Sequence, residues 1–169
     1  MQSLLIKMID QDYKPHFILK KGDPSPHFKS KIQDGSTIDL GTIKAKWIVL
    51  FFYPEDNTPT CTKEVCNLRD NYSDLKELGA NIYGISPDSE SKHQNFISKF
   101  ELPFDLIVDE DHKIALSFGV WGTKKLFGIV YDGIHRTTFI LNREHKIHDI
   151  IYPVVSATHH DQIVNSIKS

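Results

Sequence analysis

The stretch WIVLFFYPEDNTPTCTKEVC, residues 47–66, decides how the rest of the chain is read. Its first seven residues, Trp47 to Tyr53, are apolar, β-branched or aromatic without a polar interruption, as expected of a strand buried on both faces at the middle of a sheet. Pro54 ends that run, and Asp56-Asn57-Thr58-Pro59 carries the turn and helix-start chemistry that stops a strand and opens a helix. Beyond it, Val65, Leu68, Tyr72, Leu75 and Leu78 recur at intervals of three and four, which predicts one amphipathic helix ending at Gly79. A buried strand, a tight loop and a helix start therefore meet within twenty residues, and Cys61 falls in the first turn of that helix.

Outward from this stretch the pattern alternates. NIYGISP (81–87) and FDLIVD (104–109) read as further buried strands, SESKHQNFISKF (89–100) as a helix between them, HKIALSFGVW (112–121) as a short helix, and THHDQIVNSIKS (158–169) as a closing helix. HRTTFILNREHKIHDIIYP (135–153) places two extended segments about a polar Asn-Arg-Glu-His turn, a β-hairpin pattern. Upstream, KGDPSPHF (21–28) is punctuated by proline, and IQDGSTIDL (32–40) gives two short extended pieces about Asp34-Gly35. Strands alternating with helices, then a hairpin and a terminal helix, predict a three-layer α/β domain with a central mixed sheet flanked by helices. Residues 1–20 lack a clean period and are read as an N-terminal extension, leaving 21–169 as the domain.

Composition narrows the function. The 169 residues are 40% hydrophobic and 25% charged, with a formal net charge of -2, so no basic excess exists to neutralise phosphates and no nucleic-acid partner is expected. Lys7 and Asp10 interrupt the apolar opening, and no small-residue cleavage pattern follows it, so no signal peptide is expected. No stretch approaches the roughly 20 apolar residues of a membrane helix. A cytoplasmic protein without a membrane partner is the expectation, and two cysteines in such a compartment form at most a transient disulfide. Nine histidines raise a metal hypothesis, but His159-His160 and His145 with His148 lack the accompanying ligands that define a site; surface or capping roles are expected, with no metal and no cofactor. Phe118, Trp121 and Phe127 are read as packing residues, and no exposed apolar stripe is expected to decide between a monomer and a homodimer.

The chemistry concentrates at Cys61. A cysteine in a helix's first turn faces unpaired backbone N–H groups and the positive end of the helix dipole, which favour the nucleophilic thiolate. Taken alone such a cysteine is more often a small buried hydrophobe. Its surroundings shift that balance: the Thr58 hydroxyl three residues earlier, Pro54 four residues before that, and a second thiol, Cys66, five residues on.

Pro54-x-x-x-Thr58-x-x-Cys61 with Cys66 resembles the active-site motif of the peroxiredoxin family, in its Q-type or bacterioferritin-comigratory branch. FGVWGTKK (118–125), YDGIHRTTFIL (131–141) and THHDQIV (158–164) extend the likeness over most of the chain beyond residue 20. The resemblance implies a thioredoxin-like fold and a thiol peroxidase with an antioxidant role in cell redox homeostasis. It implies that Cys61 attacks the hydroperoxide and that Cys66 closes a disulfide with it. It implies too that Thr58 stabilises the moving charge, that Pro54 walls the pocket, that Arg136 lies beside the sulfur, and that thioredoxin or a similar dithiol protein restores the thiols. Positions five apart on a helix have Cα atoms roughly 8–9 Å apart, beyond the ~7 Å limit of a disulfide, so bonding predicts that the helix start unwinds. Glu64 is read as a favourable acid in the helix's first turn, with an orienting contact to Arg136 as the alternative. Thr60 stands where the branch commonly has glycine, which bears on loop unfolding and overoxidation. The competing readings are a general thiol-disulfide oxidoreductase, whose usual Cys-x-x-Cys spacing is absent, and a non-enzymatic binding protein.

Overall fold

The computed structural model describes residues 13–169; the first twelve, and with them most of the expected N-terminal extension, lie outside the described residues. In chain order these residues form β1 (Lys29–Lys31), β2 (Thr37–Asp39), a 3-10 turn at Leu40–Thr42, β3 (Trp47–Phe52), α1 (Pro59–Asp70) and α2 (Tyr72–Glu77). There follow β4 (Ala80–Ser86), α3 (Glu90–Phe100), β5 (Asp105–Val108), α4 (Lys113–Ser117), β6 (Trp121–Leu126) and β7 (Ile129–Ile134). The chain ends with β8 (Thr137–Leu141), β9 (Ile147–Ile151), a 3-10 turn at Ser156–Thr158, and α5 (His159–Lys168).

The central sheet has the order β5-β4-β3-β8-β9. β3, β4 and β5 run parallel, while β8 and β9 pair antiparallel, so the sheet is mixed and β3 occupies its middle. The uninterrupted apolar run of β3 follows from that position. Val49, Phe51 and Tyr53 enter the core on one face with Val65 and Leu68 of α1, Leu75 of α2, Phe96 of α3 and Ile163 of α5. Ile48, Leu50 and Phe52 enter a second core on the other face with Phe28, Ile114 of α4, Phe118 and Phe139. Successive side chains of a strand point to opposite faces, so a strand covered on both sides must be apolar at every position. Four helices cover the first face. The second is covered by the β1–β2 hairpin, the short α4 and connecting chain, so the third layer is thinner than an alternating helix pattern suggests.

Three expectations change on the structure. The helix expected to run unbroken to Gly79 is interrupted at Asn71 (φ -115°, ψ 18°), giving α1 and α2. The Asn71 side-chain amide donates to Asn67 O at 2.8 Å, the carbonyl its own N–H would use in a continuous helix, and that N–H turns to Arg69 O instead. A hairpin, β6–β7, also stands clear of the central sheet, its two-residue turn built on Phe127 (φ 49°) and Gly128 (φ 78°), both in the left-handed region a type I′ turn requires. It carries an exposed apolar set, Leu126, Phe127 (95% exposed), Ile129 and Val130, where no such stripe was expected.

Residues 13–20 form no helix or strand, although Phe17 and Leu19 lie against the second core and the Phe17 ring meets Phe139 edge-on at 6.1 Å. Among the described residues, no helix is long and apolar enough to cross a membrane.

Candidate active site

The loop from Tyr53 to Thr58 delivers the chain from the middle of the sheet to the start of α1, and a buried polar cluster holds it. Asp56 N–H donates to Asp88 Oδ2 at 2.7 Å, and the Tyr53 hydroxyl and His93 Nδ1 both engage the Asp56 carboxylate, His93 at 2.7 Å. Burial and the Asp56 charge push the Tyr53 phenol well above its ordinary pKa, so it remains a donor. Asp56, Asp88 and His93 lie close enough together to hold a cation, but Ser86 Oγ and Lys92 Nζ also bind Asp88, and His93 Nε2 faces Ile107 O at 3.0 Å. The facing atoms are thus already engaged within the protein.

Helix α1 opens with Thr58 as its N-cap and Pro59 at its first position, where a missing N–H costs nothing. Cys61 is then the third residue of the helix, next to first-turn N–H groups that have no intrahelical acceptor. It is 1% exposed, and its thiol is free. Arg136, in the link between β7 and β8, reaches it from the start of the strand next to β3: Nη2 donates to Cys61 Sγ at 3.0 Å, and Nη1 donates to Glu64 Oε1. Burial works against the guanidinium's charge, but Glu64 and Cys61 outweigh it and hold Arg136 above its ordinary value, so it stays a cation beside the sulfur.

Glu64 corrects the reading of it as a first-turn acid. It is the sixth residue of α1, wholly buried, and its carboxylate faces Arg136 with one oxygen and His159 Nδ1 with the other, the latter at 3.1 Å. His159 is likewise no surface or capping residue: it is 0% exposed at the start of α5. Neither role is legible from local sequence, because the partners come from three separate elements and only the fold brings them together.

The other expected residues are placed as follows. Thr58 and Pro54 flank the loop, both half-buried, and the Thr58 hydroxyl donates to Glu55 O at 3.2 Å rather than to the sulfur. Cys66, the eighth residue of α1, is a free thiol, half-buried against the first core. Phe118 lies in the second core, Trp121 stacks on His112 with ring centroids 3.7 Å apart, and Phe127 caps the exposed hairpin. His145 and His148 bind backbone carbonyls of Ile43 and Ser166.

Sequence reasoning missed Lys124 of β6, whose ammonium donates to Ile134 O at 2.7 Å. Burial and the Arg136 charge hold it below its ordinary pKa, while Cys61 acts in the opposite sense, so a second basic group lies within electrostatic reach of the sulfur. Beside it His135 is held below its ordinary value by burial and by Lys124. The alternation of β6 could have pointed to Lys124 only once the hairpin had been recognised.

Comparison with known proteins points to one family. Residues 21–150 match the AhpC/TSA family. The chain is 40% identical over 150 residues to peroxiredoxin Bcp of Escherichia coli K12, covering 89% of this chain and 96% of that one. It is 47% identical over 126 residues to peroxiredoxin Bcp of Bacillus subtilis 168, covering 75% and 80%. Among solved structures, the bacterioferritin comigratory protein of Xanthomonas campestris, studied for its alkyl peroxide reduction activity, superposes with a TM-score of 0.79 at 29% identity, covering 90% of this chain and 98% of that chain.

Proposed function

The chain belongs to the AhpC/TSA family as a peroxiredoxin of the Bcp or Q type, a thiol-dependent peroxidase on a thioredoxin-like fold, and from that premise we propose how its own side chains run the reaction. Cys61 is the nucleophile. Its thiolate attacks the terminal oxygen of a hydroperoxide in line with the O–O bond; an S–O bond forms, the O–O bond breaks, and the alkoxide or hydroxide leaves and takes a proton. The product at Cys61 is a sulfenic acid. The observation that carries this reading is the Arg136 guanidinium 3.0 Å from the Cys61 sulfur: a fixed cation stabilises the thiolate before the reaction and offers N–H donors to the oxygens as charge moves onto them.

Thr58 and Pro54 complete the site in this reading. Rotation about one side-chain bond turns the Thr58 hydroxyl from Glu55 O toward the peroxide, and Pro54, with no N–H of its own, walls the pocket without competing for the thiolate. Cys66 then attacks the sulfenic sulfur, a disulfide forms and water leaves. Both cysteines lie in α1, so this step requires the first two turns of the helix to unwind. Thioredoxin or a similar dithiol protein reduces the disulfide and is itself oxidised, and the cytoplasm, where thiols are kept reduced, suits such a cycle. Hydrogen peroxide and organic hydroperoxides are the substrates.

Intact-mass spectrometry after one equivalent of hydrogen peroxide tests the assignment. The wild type is expected to lose two hydrogens, Cys66→Ser to accumulate a sulfenic acid that dimedone traps on Cys61, and Cys61→Ser to stay unmodified. A wild type whose Cys61 stays reduced ends the reading. Oxidation of Cys61 without a bond to Cys66 removes only the resolving role.

A further inference from the structure

Behind Arg136 and Glu64 stands a buried histidine that the scheme above does not use. His159 faces Glu64 Oε2 with Nδ1 at 3.1 Å and Thr138 Oγ1 with Nε2 at 2.7 Å, and all three residues are 0% exposed. The two atoms lie within ion-pair distance but miss hydrogen-bond alignment, and among the described residues neither Glu64 Oε2 nor His159 Nδ1 has a hydrogen-bond partner. A buried carboxylate oxygen without a hydrogen bond is costly, and an ionised carboxylate can only accept, so the 3.1 Å contact is favourable when Nδ1 carries a proton. Nε2 is satisfied in either of its protonation states, because the Thr138 hydroxyl can donate or accept.

The fold fixes this approach. Asn67 lies three residues beyond Glu64 on α1 and therefore on the same face. Its side chain binds both Ala157 O (3.0 Å) and His160 N–H (2.8 Å), which clamps the start of α5 against α1 and sets His159 opposite Glu64. The ring is held further by Phe51, edge-on with centroids 5.9 Å apart. A purely apolar residue would have filled this core at no polar cost, yet a ring with a donor stands at the one carboxylate oxygen that Arg136 leaves free.

We propose that His159 is a positioning residue for the peroxidase reaction: by pinning Glu64 Oε2 it keeps Oε1 on Arg136 Nη1, and so keeps Nη2 aimed at the Cys61 sulfur. The terminal torsion of a glutamate is broad and roughly two-fold, so a carboxylate held at one oxygen swings, whereas one held at both does not. An arginine whose second fork is displaced loses its approach to the sulfur and to the incoming peroxide. The proposal rests on the roles given above to Cys61 and Arg136.

The test compares wild type with His159→Leu, His159→Asn and His159→Gln. It reads the single-turnover rate of Cys61 oxidation by hydrogen peroxide, the pH profile of thiolate ultraviolet absorbance, and the melting temperature. Asparagine can place its amide nitrogen near the position of Nδ1, toward Glu64, whereas glutamine carries its amide farther out, toward Thr138. His159→Leu and His159→Gln are expected to slow oxidation by about tenfold, as a misaimed group does, and to move the thiolate profile to higher pH, with His159→Asn restoring most of both. Core filling alone would lower the melting temperature and leave the folded fraction's rate and thiolate profile unchanged; that result in His159→Leu overturns the proposal. If His159→Leu does not fold, glutamine performing as well as asparagine overturns it instead. A wild type whose Cys61 does not react removes the underlying peroxidase reading and takes this proposal with it.

Discussion

Two buried polar clusters, one on the Tyr53–Thr58 loop and one on the helix that this loop leads into, each pair a carboxylate with a histidine. Around Asp56, the donors and acceptors close on one another: Tyr53 and His93 on its carboxylate, Asp88 on its N–H, and Ser86 and Lys92 on Asp88. Around Glu64, the chain of contacts ends on Cys61, which shares Arg136 with the carboxylate. The contrast separates scaffold from chemistry. A cluster whose partners are all oxygen and nitrogen groups fixed by the fold can only hold the loop in place. A cluster that ends on a sulfur is anchored by a group whose charge and bonding change when it reacts, so its stability is tied to the redox state of that sulfur.

The contrast breaks most visibly at Arg136. Replacing it with leucine removes the cation and the donors at the sulfur and should slow Cys61 oxidation by about 10²–10³-fold, the usual cost of losing an aimed donor where charge develops. Stopped-flow peroxide kinetics measure it. A loss under threefold would mean that the Glu64 cluster is scaffold like the other one.

The Asp56 cluster should respond in the opposite currency. Asp88→Ala leaves the buried Asp56 N–H without its acceptor and should cost about 1–3 kcal/mol of stability, while the folded fraction oxidises Cys61 at the wild-type rate. Acid adds a signature. Burial alone would raise Asp88, but the Lys92, Ser86 and Asp56 donors outweigh it and place its folded pKa below the ordinary 3.8. A carboxylate whose pKa is depressed by folding contributes stability that is present above the unfolded value and lost as pH falls through the folded one. Denaturant titrations from neutral pH to below about pH 4 should therefore show a loss in the wild type that is shallower in Asp88→Ala. Equal slopes would mean that the Asp88 contacts add nothing in solution.

The same contrast explains what could be read in advance. β3 was legible because burial on both faces forces an uninterrupted apolar run, and Pro54, Thr58 and Cys61 could be proposed together because the loop and helix start that follow this run resemble a family motif. The break at Asn71 was not, because Tyr72, Leu75 and Leu78 keep the helical spacing across it and the interruption comes from one side-chain hydrogen bond. β6–β7 escaped because its strands lie outside the central sheet, half-buried at best along β6 and mostly exposed along β7, so lysine, aspartate and glycine blur the alternation that full burial would have enforced. Glu64 and His159 were misjudged for a different reason. Each has an ordinary local explanation; for Glu64 the contact with Arg136, 72 positions away, stood only as the alternative and is the one the fold makes, whereas nothing local pointed His159 toward it.

The smallest expected effect concerns how α1 comes apart. Thr60 is the second residue of the helix, exposed and just ahead of Cys61, and it touches neither cluster's hydrogen bonds. Glycine there has a helix propensity lower by a few tenths of a kcal/mol and more backbone freedom once unwound. Both effects favour the open helix from which Cys66 reaches Cys61, so Thr60→Gly should speed disulfide closure about twofold, since each 1.4 kcal/mol is tenfold, and leave the peroxide step within error. Rapid-quench alkylation after a peroxide pulse separates the two steps. Closure that is unchanged while Glu64→Gln accelerates it would place the hold on α1 in the Glu64 cluster rather than in the helix's own propensity. The loop would then be fixed by oxygen and nitrogen, and the helix it leads into released by the chemistry of sulfur.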